Sequence, residues 1–206
     1  MAKDDYLSID TIYEAIYKDK GSKFLSFAHP IKSTEEVKQI LSTYKKDSRF
    51  KGACHFCFAY KLGALNPYCR SSDDGEPAGT AGKPILNQIE LFDLTDVLIV
   101  VIRFFGGTLL GTSGLIKAYK QAAQECLTVA KPIQFVIRRN ICLTFSYSIQ
   151  ADVDQILKQF DIEYEEKLFE EKITYKIKIR AGEFDTYKQI VSQSSAFQNL
   201  KTNEYE

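Results

Sequence analysis

The chain reads as an α+β protein of two units, and three observations carry that reading. Val97 to Ile102 is a run of six apolar, mostly β-branched residues, the pattern of a strand covered on both faces. From 133 to 204 the segments fall in the order strand, helix, strand, strand, helix, strand, which is the ferredoxin-like βαββαβ pattern. Between these stretches Lys131-Pro132 punctuates the chain, so we place the boundary there, with residues 1–131 as one domain and 132–206 as the other.

Thr11 to Tyr17 alternates, Ile12, Glu14 and Ile16 against Tyr13, Ala15 and Tyr17, and Lys23 to Ile31 does so loosely; two strands turning about Gly21 are expected. Ser33 with Glu36 three residues later is a capping box, and Val37, Ile40, Leu41 and Tyr44 then share one helical face, so a helix spans 34–46. Its basic end, Lys45, Lys46, Arg49 and Lys51, suits a helix C-terminus, with a contact for phosphate or an acidic partner as the sharper alternative. Ala53 to Leu62 predicts a third strand, whereas Arg70 to Pro84 is too rich in turn formers for helix or strand. A short helix over 84–91, a strand over 97–103 and a helix over 112–129 complete the first unit. In the second we expect strands at 133–147, 162–168 and 171–180, helices at 150–160 and 183–194, and a short last strand at 198–204. Ile173, Tyr175, Ile177 and Ile179 alternate with Thr174, Lys176, Lys178 and Arg180, one face buried and one wet. That basic row is a solvated face or, alternatively, an RNA-facing sheet.

The 206 residues suffice to bury roughly 70% of the unfolded surface, in one large or two small cores. Basic and acidic side chains number 27 each, split 17 against 15 before the boundary and 10 against 12 after it, so no global field draws the chain to nucleic acid or membrane. The first residues lack an export pattern, and no apolar run approaches the ~20 residues of a membrane span. A cytoplasmic protein without a membrane partner is therefore expected. Five cysteines, Cys54, Cys57, Cys69, Cys126 and Cys142, are then reduced thiols by default.

The acidic glycine loop Ser72 to Pro77 with Gly79 to Pro84, and the strand, turn and helix carrying Arg103, Phe105 to Gly107, Gly111 and Gly114 to Tyr119, resemble the signature of the IMPACT/YigZ family. Lys20 to Phe24 and Ala53 to Tyr60 are similar to further patterns of that family. The family has Asn at Phe56, Thr at Ile102, Tyr at or beside Phe104 and Lys at Leu110, so polar groups expected near the site are missing. The resemblance implies a first domain of the type found in elongation factor G domain IV and a ferredoxin-like second domain similar to that factor's domain V. It also implies a role in translation, because the eukaryotic IMPACT protein restrains the amino-acid-starvation kinase by competing for its ribosome-associated co-activator. On that basis we expect a non-enzymatic, translation-associated regulator that binds RNA, the ribosome or a ribosome-associated protein.

Two ribbons hold the candidate chemistry, and we expect them to fold against each other into one recognition surface. Gly106, Gly107, Gly111, Thr112 and Ser113 nearly spell a phosphate loop, but its lysine is missing, so nucleotide hydrolysis is not expected. The glycine amides, the positive end of the helix, two hydroxyls and Arg103 can still bind an anion, against the plainer reading of glycines needed only for packing. Asp73, Asp74 and Glu76 suggest a magnesium site or an acid/base pair, against the plainer reading of carboxylates that accept loop amides and pair with Arg70 or Lys83. Lys117 completes the candidate set. His55 is either a base beside the acidic loop or a hydrogen-bonded structural histidine. Cys54 and Cys57 would face opposite sides of a strand and have no second pair, so no metal and no cofactor are assigned. The absent lysine and the absent catalytic triad favour binding over turnover; the alternative is an enzyme or sensor for a small phosphorylated or carboxylated ligand at the glycine loops.

Overall fold

A computed structural model of the chain describes residues 4–193 and 200–204. The described residues divide into two compact units: Tyr6–Phe135, and a second that combines Asp4 and Asp5 with the residues from Val136 onward. The division lies a few residues beyond Pro132, because the strand that follows the proline stays with the first unit.

The first unit contains β1 (Asp5–Ser8), β2 (Tyr13–Asp19), β3 (Ser22–Pro30), α1 (Thr34–Lys46), β4 (His55–Leu62), β5 (Tyr68–Ser72), α2 (Gly82–Leu91), β6 (Val97–Phe104), α3 (Gly111–Val129) and β7 (Ile133–Val136). Its main sheet runs β2-β3-β6-β4-β5, every neighbouring pair antiparallel, and β1 pairs with β7 in a separate ribbon. The apolar run of β6 takes the central position. Val97, Ile99 and Val101 pack with α2 and α3, while Leu98, Val100 and Ile102 pack with α1, and all six are fully buried. Each such side chain contributes roughly 1.5–3 kcal/mol of burial, so this strand holds three layers together.

The helices obey their sequence signals. Ser33 Oγ accepts from Glu36 N at 3.2 Å, and Glu36 returns the favour to Lys32 N at 2.8 Å, one residue before the usual position. Along α3 the buried positions Leu115, Ala118, Tyr119, Ala122, Ala123, Cys126 and Leu127 form one stripe. On the other face, α1 is pinned by Tyr44, whose hydroxyl lies 2.6 Å from His29 Nε2.

In the second unit, β8 (Arg138–Phe145), α4 (Gln150–Leu157), β9 (Ile162–Phe169), β10 (Ile173–Arg180), α5 (Phe184–Gln193) and β11 (Lys201–Glu204) follow one another. The sheet order β11-β8-β10-β9, all antiparallel, is the ferredoxin-like arrangement the segment order implied. Ile173, Tyr175, Ile177 and Ile179 are buried as their alternation required. The basic row opposite them is not free charge. Lys176 pairs with Glu166 at 2.7 Å, Lys178 with Glu165 at 2.6 Å, and Arg180 with Asp4 at 2.8 Å and with Asp5.

Several expectations need correction. Arg70 to Pro84 is not wholly loop: β5 reaches Ser72, stabilised by pairing with β4 rather than by burial, and α2 begins at Gly82. The stretch 133–147 is not one strand but two, β7 and β8, which pair in different sheets. β1 went unforeseen because its four residues are too few to show a period. The expected ends of the last helix, 194, and the start of the last strand, 198, lie outside the described residues.

Burial pushes the His29 imidazole down to about 4 from 6.5. The unfolded chain therefore binds a proton near pH 6.5 that the folded chain refuses until about pH 4, and stability falls as pH drops through that window. Denaturant titrations at pH 7 and pH 4.5 should show a loss of about 2 kcal/mol in wild type that shrinks in His29→Gln. Equal losses in the two proteins would contradict the assignment.

Candidate functional site

Strand register builds the site. Phe24 of β3, Arg103 of β6 and His55 of β4 are direct cross-strand neighbours, and all three lie on the face covered by α2 and α3. Arg103 is only 5% exposed. Its Nη1 donates to Glu76 Oε1 at 2.6 Å, and the Tyr119 hydroxyl donates to the same oxygen at 2.8 Å. Its Nη2 donates to Ser22 Oγ at 3.4 Å, an oxygen that also accepts from Gly106 N at 3.3 Å. The guanidinium lies over the rings of Phe24 and Phe105, 5.6 and 5.7 Å from their centroids. One buried cation thus ties together the acidic loop, the turn after β6 and the hairpin at Gly21. That closeness explains one glycine: a Cβ on Gly106 would sit 1.8 Å from Gly21 C.

The other carboxylates are spent on the backbone. Asp73 Oδ1 accepts from Ala81 N at 2.9 Å and Gly82 N at 2.8 Å, and its Oδ2 accepts from Gly79 N at 2.9 Å. It therefore caps α2 from nine positions upstream, where the local cap residue Ala81 has no oxygen to offer. Partial burial alone would raise its pKa, but the amides of Gly79, Gly82 and Ala81 outweigh this and hold the carboxyl below its usual range. Asp74 Oδ2 accepts from Phe56 N at 2.8 Å, and its Oδ1 pairs with Lys45 at 2.9 Å. The plainer sequence reading thus has the right interactions but different partners: the cations are Arg103 and Lys45, not Arg70 or Lys83.

His55 Nδ1 lies 2.9 Å from the Asp74 carbonyl oxygen, which can only accept, so Nδ1 carries the proton and Nε2 faces Glu76 Oε1 at 3.8 Å. Cys57 donates its single S–H to the Asp73 carbonyl at 2.9 Å, and its sulfur lies 3.4 Å from the Tyr119 hydroxyl. Burial pushes that thiol up to about 12, which makes it a weak nucleophile. Tyr119 is raised as well, by burial first and then by Cys57 and Glu76. Cys54, by contrast, is exposed.

Around this buried cluster lies an exposed rim. Gly106, Gly107, Gly111, Thr112 and Ser113 are exposed, with Thr112 and Ser113 in the first turn of α3, whose N-terminus has no side-chain cap. Lys83 at the start of α2 and Lys117 in α3 are exposed, and among the described residues neither has an ion-pair partner. Arg70 stands apart: it pairs in register with Tyr60, on the α1 face of the sheet. The family departures also lie elsewhere than expected. Phe56, Ile102 and Phe104 belong to the α1-side core and Leu110 to the other core, so none of them leaves a gap in the Arg103 cluster. Tyr119 and Ser22 lie in stretches that match the family signature but were assigned no role from sequence, whereas Lys45 was expected as a cation at the end of α1 that could meet an acidic partner, and Asp74 is that partner. Tyr119 had a signal, a hydroxyl on an otherwise apolar helical stripe.

The carboxylates of the acidic loop are engaged within the protein's own structure. Glu76 is buried against Arg103, whereas Asp73 and Asp74 are half-buried and taken up by backbone amides and Lys45, and among the described residues no three His, Cys, Asp or Glu side chains gather closely enough to hold a metal ion. What faces outward is glycine backbone, two hydroxyls, lysines and apolar side chains.

Comparison with known proteins agrees with the sequence signature. The model of the Impact N-terminal domain family matches residues 20–127. The IMPACT family member YigZ of Escherichia coli (strain K12) is 33% identical over 148 residues, 71% of this chain and 67% of that protein. The Protein IMPACT homolog of Saccharomyces cerevisiae is 38% identical over 96 residues, 45% of this chain and 36% of its own length. A crystal structure described only as a hypothetical protein superposes with a TM-score of 0.70 at 25% identity, covering 98% of each chain.

Replacing Arg103 by Ala strands the Glu76 carboxylate in the interior, and we expect a destabilisation of about 3–5 kcal/mol in chemical denaturation. Gly106→Ala should be at least as damaging, since backbone must move, whereas Gly107→Ala meets open space and costs about 1 kcal/mol for its positive φ. Similar costs for the two alanines would refute the tight crossing at Gly21.

Proposed function

The chain belongs to the IMPACT family, and from that premise we propose that it is a non-enzymatic, translation-associated binding protein that engages RNA, the ribosome or a ribosome-associated protein. The single observation that carries this reading is the internal commitment of Asp73, Asp74 and Glu76. A general acid or base must reach a substrate proton, and a metal site requires convergent free oxygens. These carboxylates serve instead to stiffen the two loops. A preformed surface loses little conformational entropy when a partner docks, which favours affinity rather than chemistry.

The contact surface in this reading is the exposed rim, with Lys83 and Lys117 supplying charge and the first turn of α3 receiving an anionic group of the partner. The paired basic row of β10 contributes less than its composition suggested. A second reading, a sensor for a small phosphorylated or carboxylated ligand, is favoured by the uncapped start of α3.

A binding titration against purified ribosomes and structured RNA at several salt concentrations tests the proposal. Wild type should bind with a salt-dependent affinity, and Lys83→Ala with Lys117→Ala should weaken binding and flatten the salt slope. Arg103 is unsuitable as a probe because its loss unfolds the site. No salt-dependent binding, together with thermal stabilisation by inorganic phosphate, would replace this reading with the sensor.

A further inference from the structure

The turn after β6 and the start of α3 expose large apolar side chains at unusual density. Leu109 is 83% exposed, Phe105 48% and Ile116 44%, while the adjacent Leu110 and Leu115 are buried and hold the backbone in place. Scattered single exposures are ordinary, but three within one short segment are more than a buried core or a solvated turn requires. Within the segment its charge is one-sided, although Asp19 adjoins Lys20. Residues 104 to 124 contain no Asp or Glu, Lys117 and Lys120 are exposed beside Ile116, and the hairpin carrying Lys20 abuts Gly106 through Gly21. The nearest acidic loop cannot neutralise them, because Asp73 and Glu76 are engaged with amides and Arg103, and Asp74 with Lys45.

We propose that Phe105, Leu109 and Ile116, ringed by Lys20, Lys117 and Lys120, form the docking site for a protein segment that presents bulky apolar side chains flanked by Asp or Glu. This rests on the binding function argued above and narrows its partner class. Apolar anchors surrounded by charge are the anatomy of a protein hot spot, with desolvated centre and polar rim. Nucleic acid fits less well, since base recognition draws on aromatic and guanidinium faces, whereas two of the three anchors are aliphatic. A lipid surface takes apolar and basic side chains but makes no use of a shape held rigid from beneath. Here Phe105 stacks on the Arg103 guanidinium, and the backbone of Leu109 and Ile116 is held by the buried Leu110 and Leu115.

Panning a random peptide display library against the full-length protein, with counter-selection on Leu109→Ser, tests this. Enriched sequences should combine Asp or Glu with bulky apolar residues. A synthetic consensus peptide, followed by fluorescence anisotropy, should lose about tenfold in affinity with Leu109→Ser or Lys117→Glu. Ile16→Ser, an exposed apolar position on the opposite sheet face, should leave it unchanged. Because Leu109 is so exposed, its substitution leaves the fold intact and a loss is read as lost contact. Failure to enrich, consensus peptides without acidic residues, or affinity indifferent to Leu109→Ser would overturn the proposal. So would Leu109-dependent binding to vesicles of phosphatidylcholine and phosphatidylglycerol, or to RNA alone. Ribosome or RNA binding that persists in Leu109→Ser but not in the Lys83 and Lys117 variant would sink this inference while leaving the binding function standing; loss of every interaction in wild type would sink both.

Discussion

A guanidinium and a carboxylate share a space from which water is excluded, and the first unit is arranged around that constraint. Arg103 lies at the end of the most buried strand, too deep to be solvated, and Glu76 is brought to it by a loop that must cross over the sheet. Two buried charges are tolerable only when they meet with good geometry and their remaining valences are filled. Tyr119 and Ser22 supply most of those further bonds, the rings of Phe24 and Phe105 lie over the guanidinium, and Arg103 Nε is left buried without a hydrogen-bond partner among the described residues. The acidic loop is consequently not free to move, and neither is the turn after β6.

A second fixture reinforces the first. Asp73 donates nothing and accepts from three amides, so the loop that delivers Glu76 is also the cap of α2. A carboxylate at a helix N-terminus is favoured electrostatically as well as by hydrogen bonding. The loop therefore stores its acidic character internally, and the outer surface of this region is left basic and apolar. That inversion, acidic in sequence but basic in exposure, is what the proposed recognition function rests on.

The elements that were legible in the sequence are those whose burial is periodic or continuous. The run at β6, the stripe of α3 and the alternation of β10 each announce a packed face, and each is found there. β5 was hidden because it is an exposed edge strand held by main-chain pairing with β4, which leaves no pattern in side-chain polarity. The break between β7 and β8 was hidden because no Gly or Pro separates the two halves, so nothing in the composition marks where the pairing partner changes. At the site, the family resemblance and the charges were visible but their pairing was not. Sequence proximity pointed Glu76 towards Arg70 or Lys83, whereas strand register carries Arg103 to it from 27 positions away. For the same reason the substitutions at Phe56, Ile102 and Phe104 looked like losses from the site, although pleating turns them to the other face.

The central claim is that one buried ion pair holds two separate loops as a single rigid surface. Amide hydrogen exchange of wild type and Glu76→Ala, followed at Gly79, Ala81 and Gly82 in one loop and Gly106 in the other, addresses it most directly. The account predicts that all four amides lose protection together while β6 and α3 keep theirs. Loss confined to the loop around residue 76, with Gly106 as protected as before, would contradict it.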